Sequence, residues 1–302
     1  MIKKLHMFKD LNKIISNEIT EYNLESFSVI IGESPSKGAR SPILWNKVYA
    51  AENKKTKMLP LDVSKENLEE LFLCLKANPK CLGGAVAVPY KESMFNLLKD
   101  NLPSEILSIG AINCFYRQNK NPSEMFSGTN TDGEGALASI HKFLSQEKNK
   151  NIALLGYGGA GKAILAFLLR DFGNKHNMSV FNRSSFSKKQ IRKLPVKFEK
   201  FNELQHSISE FDLIINSTSL GSNSFPNETP IDHNVFINAK KKAIIYDIIY
   251  DPPLTKLLKI AQEFGLETIN GLNMNLVQAV LAFQYTNKTI FSQNKIFKLM
   301  NS

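Results

Sequence analysis

The chain has few of the residues that would cross-link it, ligate a metal or anchor it in a bilayer. Among its 302 residues are three cysteines, Cys74, Cys81 and Cys114. An odd number without a C-x-x-C spacing argues against a disulfide framework, so the thiols are read as reduced. The five histidines, His6, His141, His176, His206 and His233, form no H-x-x-x-H pair and no His/Cys cluster, and no metal is expected. A bilayer span needs about 20 apolar residues. The longest apolar stretch here, Ile152 to Leu168, is interrupted by Lys162 and four glycines. No membrane association is expected, and the composition is that of a cytoplasmic globular protein. The N-terminal stretch MIKKLHMFKDLNKIISNEI has apolar residues at helical spacing and no small-residue cleavage site. It reads as an amphipathic helix rather than a signal peptide.

The length suits two domains with a cleft between them. The net charge of +10 is concentrated rather than spread. Between Lys148 and Lys200 there are twelve Lys/Arg against two acids, Asp171 and Glu199, which leaves the rest of the chain balanced at 26 against 26. Such a half-domain can hold a polyphosphate cofactor or present a solvated lysine-rich face. No nucleic-acid-binding motif accompanies the charge, so no nucleic-acid partner is expected.

Short β-type runs alternate with helical ones along the first half: Phe27 to Gly32, Pro42 to Ala51, Thr56 to Val63, Ser64 to Asn78, Gly84 to Val88. In SKENLEELFLCL, Ser64 is placed as an N-cap ahead of Leu68, Leu71, Phe72 and Leu75. A second alternating series runs through Ile152, Ser179 to Asn182, Leu213 to Ser217 and Ala243 to Ile249. The pattern predicts an α/β protein with mainly parallel sheets. It comprises a substrate-binding domain (1–132 plus 271–302, with 1–26 as an extension) and a Rossmann-type domain (133–270). Helices after Gly271 are expected to pack back on the first domain.

The strand IALL leads directly into Gly156-Tyr157-Gly158-Gly159-Ala160-Gly161 and then into the helical run KAILAFLLRDF. Glycines at that junction let the backbone approach a pyrophosphate at a helix N-terminus, where unpaired N–H groups favour negative charge. A carboxylate ending the next strand would bind the ribose hydroxyl of NAD. Here Ser179-Val180-Phe181-Asn182 ends instead in Asn182-Arg183-Ser184-Ser185, with Lys188 and Lys189 beyond. Guanidinium and ammonium groups suit a 2′-phosphate, so NADP is expected over NAD.

Two further segments place charged residues at strand ends. GGAVAVPYKE puts Lys91 after an apolar strand and a proline, and GTNTDGEG puts Asp132 in a turn leading into a helix. Both are candidates for proton transfer.

In order along the chain come Ser41-Pro42 with Asn46, VPYKE, IGAIN ending at Asn113, GTNTDGEG, LLGYGGAGKA, FNRS, INSTSLG, DIIYDPPLTKLL and GLNMNLVQA with Gln278. With these segments in register from about Phe27 to the C-terminus, the sequence resembles the shikimate dehydrogenase family. The resemblance implies reversible hydride transfer between NADP(H) and a cyclic hydroxy acid, with shikimate and 3-dehydroshikimate as the usual pair. It makes Lys91 the acid/base group and Asp132 its partner. Ser41, Asn113, Gln278 and Tyr250 fall on the substrate side. Asn182, Arg183, Ser184, Thr218 and Gly271 fall with the glycine turn on the cofactor side. A monomer or homodimer acting on small molecules is expected.

The match is incomplete where the substrate carboxylate would bind. The family's Ser-x-Ser-Pro is Ala39-Arg40-Ser41-Pro42 here, the polar residues before Pro-x-Lys are Ala85 and Ala87, and Trp45 replaces a usual histidine. Losing a hydrogen bond to a charged group weakens binding by roughly 1.5 to 3 kcal/mol. Arg40 or Lys37 can restore that contact; otherwise the substrate is another hydroxy acid such as quinate. A non-catalytic NADP-binding sensor is the alternative from another class, opposed by the retention of Lys91, Asp132, Asn113 and Gln278.

Overall fold

A computed structural model describes residues 10–20, 23–121, 123, 125–184 and 194–302. The first nine residues of the N-terminal stretch, and Ser185, Lys188 and Lys189 of the basic turn, lie outside the described residues. The chain divides into two compact units, one holding the chain up to Thr131 together with Leu276–Ser302, the other Asp132–Asn275. The fold is the expected two-unit α/β architecture.

The first unit is built from β1 (Ser26–Gly32), α1 (Ser41–Ala51), β2 (Thr56–Asp62), α2 (Leu68–Ala77), β3 (Cys81–Val86), α3 (Lys91–Leu98), α4 (Ser104–Ile109), β4 (Cys114–Arg117) and β5 (Phe126–Thr129). Its sheet has the order β2-β1-β3-β4-β5. β1 pairs in parallel with β2 and β3, whereas β4 is antiparallel to both β3 and β5. The parallel half was readable because β1 is covered on both faces and is therefore a continuous apolar run. In α2 the positions Leu68, Leu71, Phe72 and Leu75 are all buried. The helix begins at Leu68, however, with Asn67 as its N-cap, so Ser64 lies one turn too early to cap it. The far end of α2 is closed by the buried Arg117. This side chain donates to the carbonyls of Leu75, Lys76, Asn78 and Cys81 while its guanidinium covers the Phe126 ring. A cation placed on the unpaired carbonyls of a helix C-terminus satisfies both charge and acceptors.

The second unit contains α5 (Asp132–Gln146), β6 (Asn151–Leu155), α6 (Gly159–Phe172), β7 (Asn177–Asn182), β8 (Lys197–Lys200), β9 (Leu213–Asn216), β10 (Ile244–Asp247), α7 (Lys256–Glu263) and β11 (Glu267–Ile269). Its sheet is parallel throughout, in the order β11-β10-β9-β6-β7-β8. Strand succession therefore runs outward in both directions from the β6/β9 junction. In an open α/β sheet, that switch point opens a crevice at the strands' C-terminal ends, where ligands bind. Gly133 lets α5 lie against α6, because a Cβ there would stand 2.2 Å from the Phe167 ring.

The chain then returns to the first unit through α8 (Leu272–Thr286) and α9 (Gln293–Asn301). These helices complete its core. Trp45 is fully buried, donates from Nε1 to the Ala279 carbonyl at 3.1 Å and meets Phe283 edge-on at 5.3 Å. Ile296 and Met300 of α9 join the same cluster. Among the described residues, no helix is long and apolar enough to cross a membrane.

Candidate functional site

The glycine turn stands at the switch point of the second sheet. β6 ends at Leu155, and Gly156 turns the chain with φ +94°, a conformation that disfavours any residue with a Cβ. Its N–H donates to Phe181 of β7, and Ser217 at the end of β9 donates through its hydroxyl to the Leu155 and Gly156 carbonyls. A Cβ on Gly161 would lie 2.4 Å from the Gly156 oxygen, so close packing of helix on strand requires glycine there. Gly158 differs. As N-cap of α6 it has φ −82° and ψ −168°, open to any residue, and, adjacent residues aside, no described atom lies within 4 Å of the place its Cβ would take. Neither backbone nor neighbours demand glycine at Gly158, while a group seated against the helix N-terminus would. The residues present thus fit a dinucleotide pyrophosphate, with Gly159, Ala160 and Gly161 forming the first turn of α6.

The flanking loops converge on this turn. The Tyr157 N–H donates to Asn182 Oδ1 at 3.3 Å, tying the turn to the end of β7, and Arg183 and Ser184 follow as exposed residues. Thr218, whose methyl would be 3.0 Å from a Gly156 Cβ, is held by Asn216: its N–H and hydroxyl both donate to Asn216 Oδ1, at 3.0 and 2.7 Å. Asn216 in turn donates to the fully buried Asp247 at 3.1 Å. Asp247 also accepts from the Ile249 N–H and the Thr255 hydroxyl, and Thr255 caps α7. Burial pushes the Asp247 carboxyl up to about 6, against the pull of the bonds from Thr255, Ile249 and Asn216. Tyr250 is half-buried in the segment that follows. Gly271 donates to the Ile249 carbonyl, and a Cβ there would stand 1.9 Å from the Ile248 oxygen. Asn216, Ser217, Asp247 and Thr255 lie within the segments INSTSLG and DIIYDPPLTKLL, but none of them has a site role legible from the sequence, since nothing in those segments shows which residues hold the loop.

On the first unit, Lys91 is the first residue of α3 and half-buried. The preceding Tyr90 fixes this corner by donating its hydroxyl to the Val63 carbonyl at 2.7 Å, and the Lys91 carbonyl accepts from the Ile112 N–H. At the next residue after Ile112, a polar cluster joins three segments. Asn113 Nδ2 donates to Thr131 Oγ1 at 2.9 Å and to Gln278 Oε1 at 3.2 Å, and the Thr131 N–H donates back to Asn113 Oδ1 at 2.8 Å. Asn113 and Gln278, far apart in sequence, are thus brought together. Thr131, which links them, is the partner the motif reading passed over. Asp132 follows at once, buried, as the first residue of the second unit.

Ser41 is buried at the start of α1, after a turn in which Gly38 has φ +121°. The three alanines are apolar neighbours: Ala85 belongs to the core cluster around Trp45, and Ala39 and Ala87 pack against it. Trp45 is a core residue in this chain. Among the described residues, no group of three or more His, Cys, Asp or Glu is placed to hold a metal.

Two family profiles match the chain, "Shikimate dehydrogenase substrate binding domain" over residues 30–115 and "Shikimate / quinate 5-dehydrogenase" over residues 138–279. A shikimate dehydrogenase (NADP(+)) of Methanococcus vannielii is 30% identical over 92% of this chain and 100% of its own length. The chain belongs to the shikimate dehydrogenase family. A second relative of the same name, from Carboxydothermus hydrogenoformans, is 33% identical over 83% of this chain and 88% of its own. The crystal structure of the shikimate dehydrogenase of Aquifex aeolicus superposes with a TM-score of 0.76 at 28% identity, covering 92% of this chain and 98% of that one. The N-terminal segment before residue 30 lies outside both family profiles.

Proposed function

We propose that this family member is an NADP-dependent shikimate dehydrogenase that interconverts 3-dehydroshikimate and shikimate. The reading is carried by a glycine turn with ligand space over Gly158, in a chain similar along nearly its whole length to proteins named shikimate dehydrogenase (NADP(+)). When bound, the dinucleotide supplies or accepts the hydride at the carbon bearing the oxygen. Lys91 gives its proton to the carbonyl oxygen on reduction and takes the hydroxyl proton on oxidation, with Asp132 as its hydrogen-bond partner. Ser41, Asn113, Gln278 and Tyr250 orient the ring. The Asn113–Thr131–Gln278 bonds support this role by fixing the two amides before substrate arrives. Arg183, placed beyond β7 where no carboxylate stands, pairs with the 2′-phosphate and favours NADP over NAD. The protein acts in the cytoplasm as a monomer or homodimer.

The test is reduced-cofactor formation by the purified protein with shikimate and quinate, each offered with NADP and NAD. Turnover of shikimate with NADP supports the reading. NADP binding without turnover of either acid overturns it in favour of a relative with a changed substrate or a sensor. Lys91→Ala should lower kcat by about 10²- to 10⁴-fold while NADP affinity holds. A second reading, a relative acting on quinate or a similar hydroxy acid, is favoured by Ala39, Ala85 and Ala87, which put methyl groups where hydroxyls and an amide are usual in the family.

A further inference from the structure

The N-terminal segment outside the family profiles is held to the first unit by specific contacts. Among the described residues, β2 is the edge strand of its sheet, paired with β1 on one side. Its other side would present unpaired backbone groups. The segment takes up that role at the C-terminal end of β2. Asn17 accepts from the Asp62 N–H at 2.7 Å and donates to the Pro60 carbonyl at 2.9 Å. Ser16 donates from both its N–H and its hydroxyl to the Asp62 carbonyl, at 2.8 and 3.2 Å. Leu11, Ile14, Ile15 and Ile19 are buried beneath, and Asn67 donates to the Ile14 carbonyl. The backbone of Asp62 is therefore held by the segment on one side and by β1 on the other.

The Asp62 side chain points the same restraint elsewhere. Its carboxylate, buried, accepts from the Ser36 N–H at 2.8 Å and from the Ser36 hydroxyl. Both bonds come from one residue of the turn Pro35–Lys37, and that turn delivers Arg40 and Ser41 to the start of α1. Hydrogen bonds to a carboxylate are stronger and more directional than neutral ones, so the position of Asp62 sets the position of the turn.

We infer that Asp62 is a positioning residue for the substrate-side turn Ser34–Ser41 and that Ser16 and Asn17 hold it in register. What the turn does rests on the shikimate dehydrogenase reading. That the segment sets its geometry does not. The test uses the full chain carrying Asn17→Ala, with Ser36→Ala as a milder variant that removes one hydroxyl from an exposed residue and keeps the fold. Amide exchange at Ser36 should speed up about tenfold in Asn17→Ala, the equivalent of one lost hydrogen bond. In both variants KM for shikimate should rise severalfold while kcat and KM for NADP stay within about twofold of the parent. A folded Asn17→Ala with unchanged exchange at Ser36 overturns the coupling, and so does a fall in kcat with KM for shikimate unmoved. If the parent turns over no shikimate, the functional reading fails alone, and the exchange rates still decide whether the segment sets the turn.

Discussion

Asp247 carries no formal counter-charge among its hydrogen-bond partners, and this has a measurable cost. The carboxylate is fully buried at the end of β10, and its three donors, Thr255, Ile249 and Asn216, are all neutral. Burial raises its pKa from the ordinary 3.8 to about 6. Folding therefore favours the protonated form. The stability Asp247 contributes is fully present below about pH 4 and is lost as pH rises through about 6, a difference of about 3 kcal/mol for two pKa units. Asp247→Asn removes the titration while keeping an acceptor for Ile249 and Asn216, and its amide can donate to the Thr255 hydroxyl. Tyr246 alongside, which burial keeps protonated, does not titrate in this range. Urea denaturation of parent and variant at intervals from pH 4 to 8 should show the variant gaining about 2 to 2.5 kcal/mol on the parent between pH 4 and 7. A difference that stays constant across this range refutes the reasoning.

Trp45→Ala should destabilise the protein by about 3 to 5 kcal/mol, since it empties a core site against Phe283 and removes the indole's hydrogen bond to the Ala279 carbonyl; denaturant midpoints measure it. Arg183→Ala should raise KM for NADP roughly tenfold and leave KM for NAD nearly unchanged, read from initial rates with both cofactors. Ala39→Ser should improve kcat/KM for shikimate if a missing hydroxyl limits binding, and no improvement would show that Arg40 or Lys37 already meets the carboxylate. Lys91→Ala, assayed as above, separates catalysis from cofactor binding.

Much of this fold could be read from the sequence because its strands are buried on both faces and appear as apolar blocks between helical repeats. β1, β6, β9 and β10 are of this kind. The strands that escaped notice are short or polar. β4 and β5 have four residues each, β8 reads KFEK, and β11 has three residues, so neither periodicity nor composition distinguishes them from loops. The glycine turn was legible because Gly156 and Gly161 answer local steric demands that only glycine meets. Lys91, Asn113 and Gln278 stood out through motifs in order along the chain. For residues that act by holding others, even those inside these motifs, the sequence does not show what they hold. Thr131, Asn216, Asp247 and Asp62 matter through partners as far as 46 residues away, and for Thr131 and Gln278 147 residues away, which no local pattern encodes. Ser64 was misread because its spacing to Leu68 mimics a cap, whereas the helix starts only when the chain leaves the turn at Asn67.

The second unit is one uninterrupted stretch, Asp132–Asn275, and the first is assembled from what precedes and follows it. For a chain made from its N-terminus, the order of completion is then reversed. The later unit has all its residues off the ribosome first, while the earlier one waits for Ala279, Phe283, Ile296 and Met300 to close over Trp45 and Tyr49. Until then, the apolar faces of β1 and α1 are exposed while the second unit is still being made. The last residues synthesised thus decide when the first unit becomes a folded body.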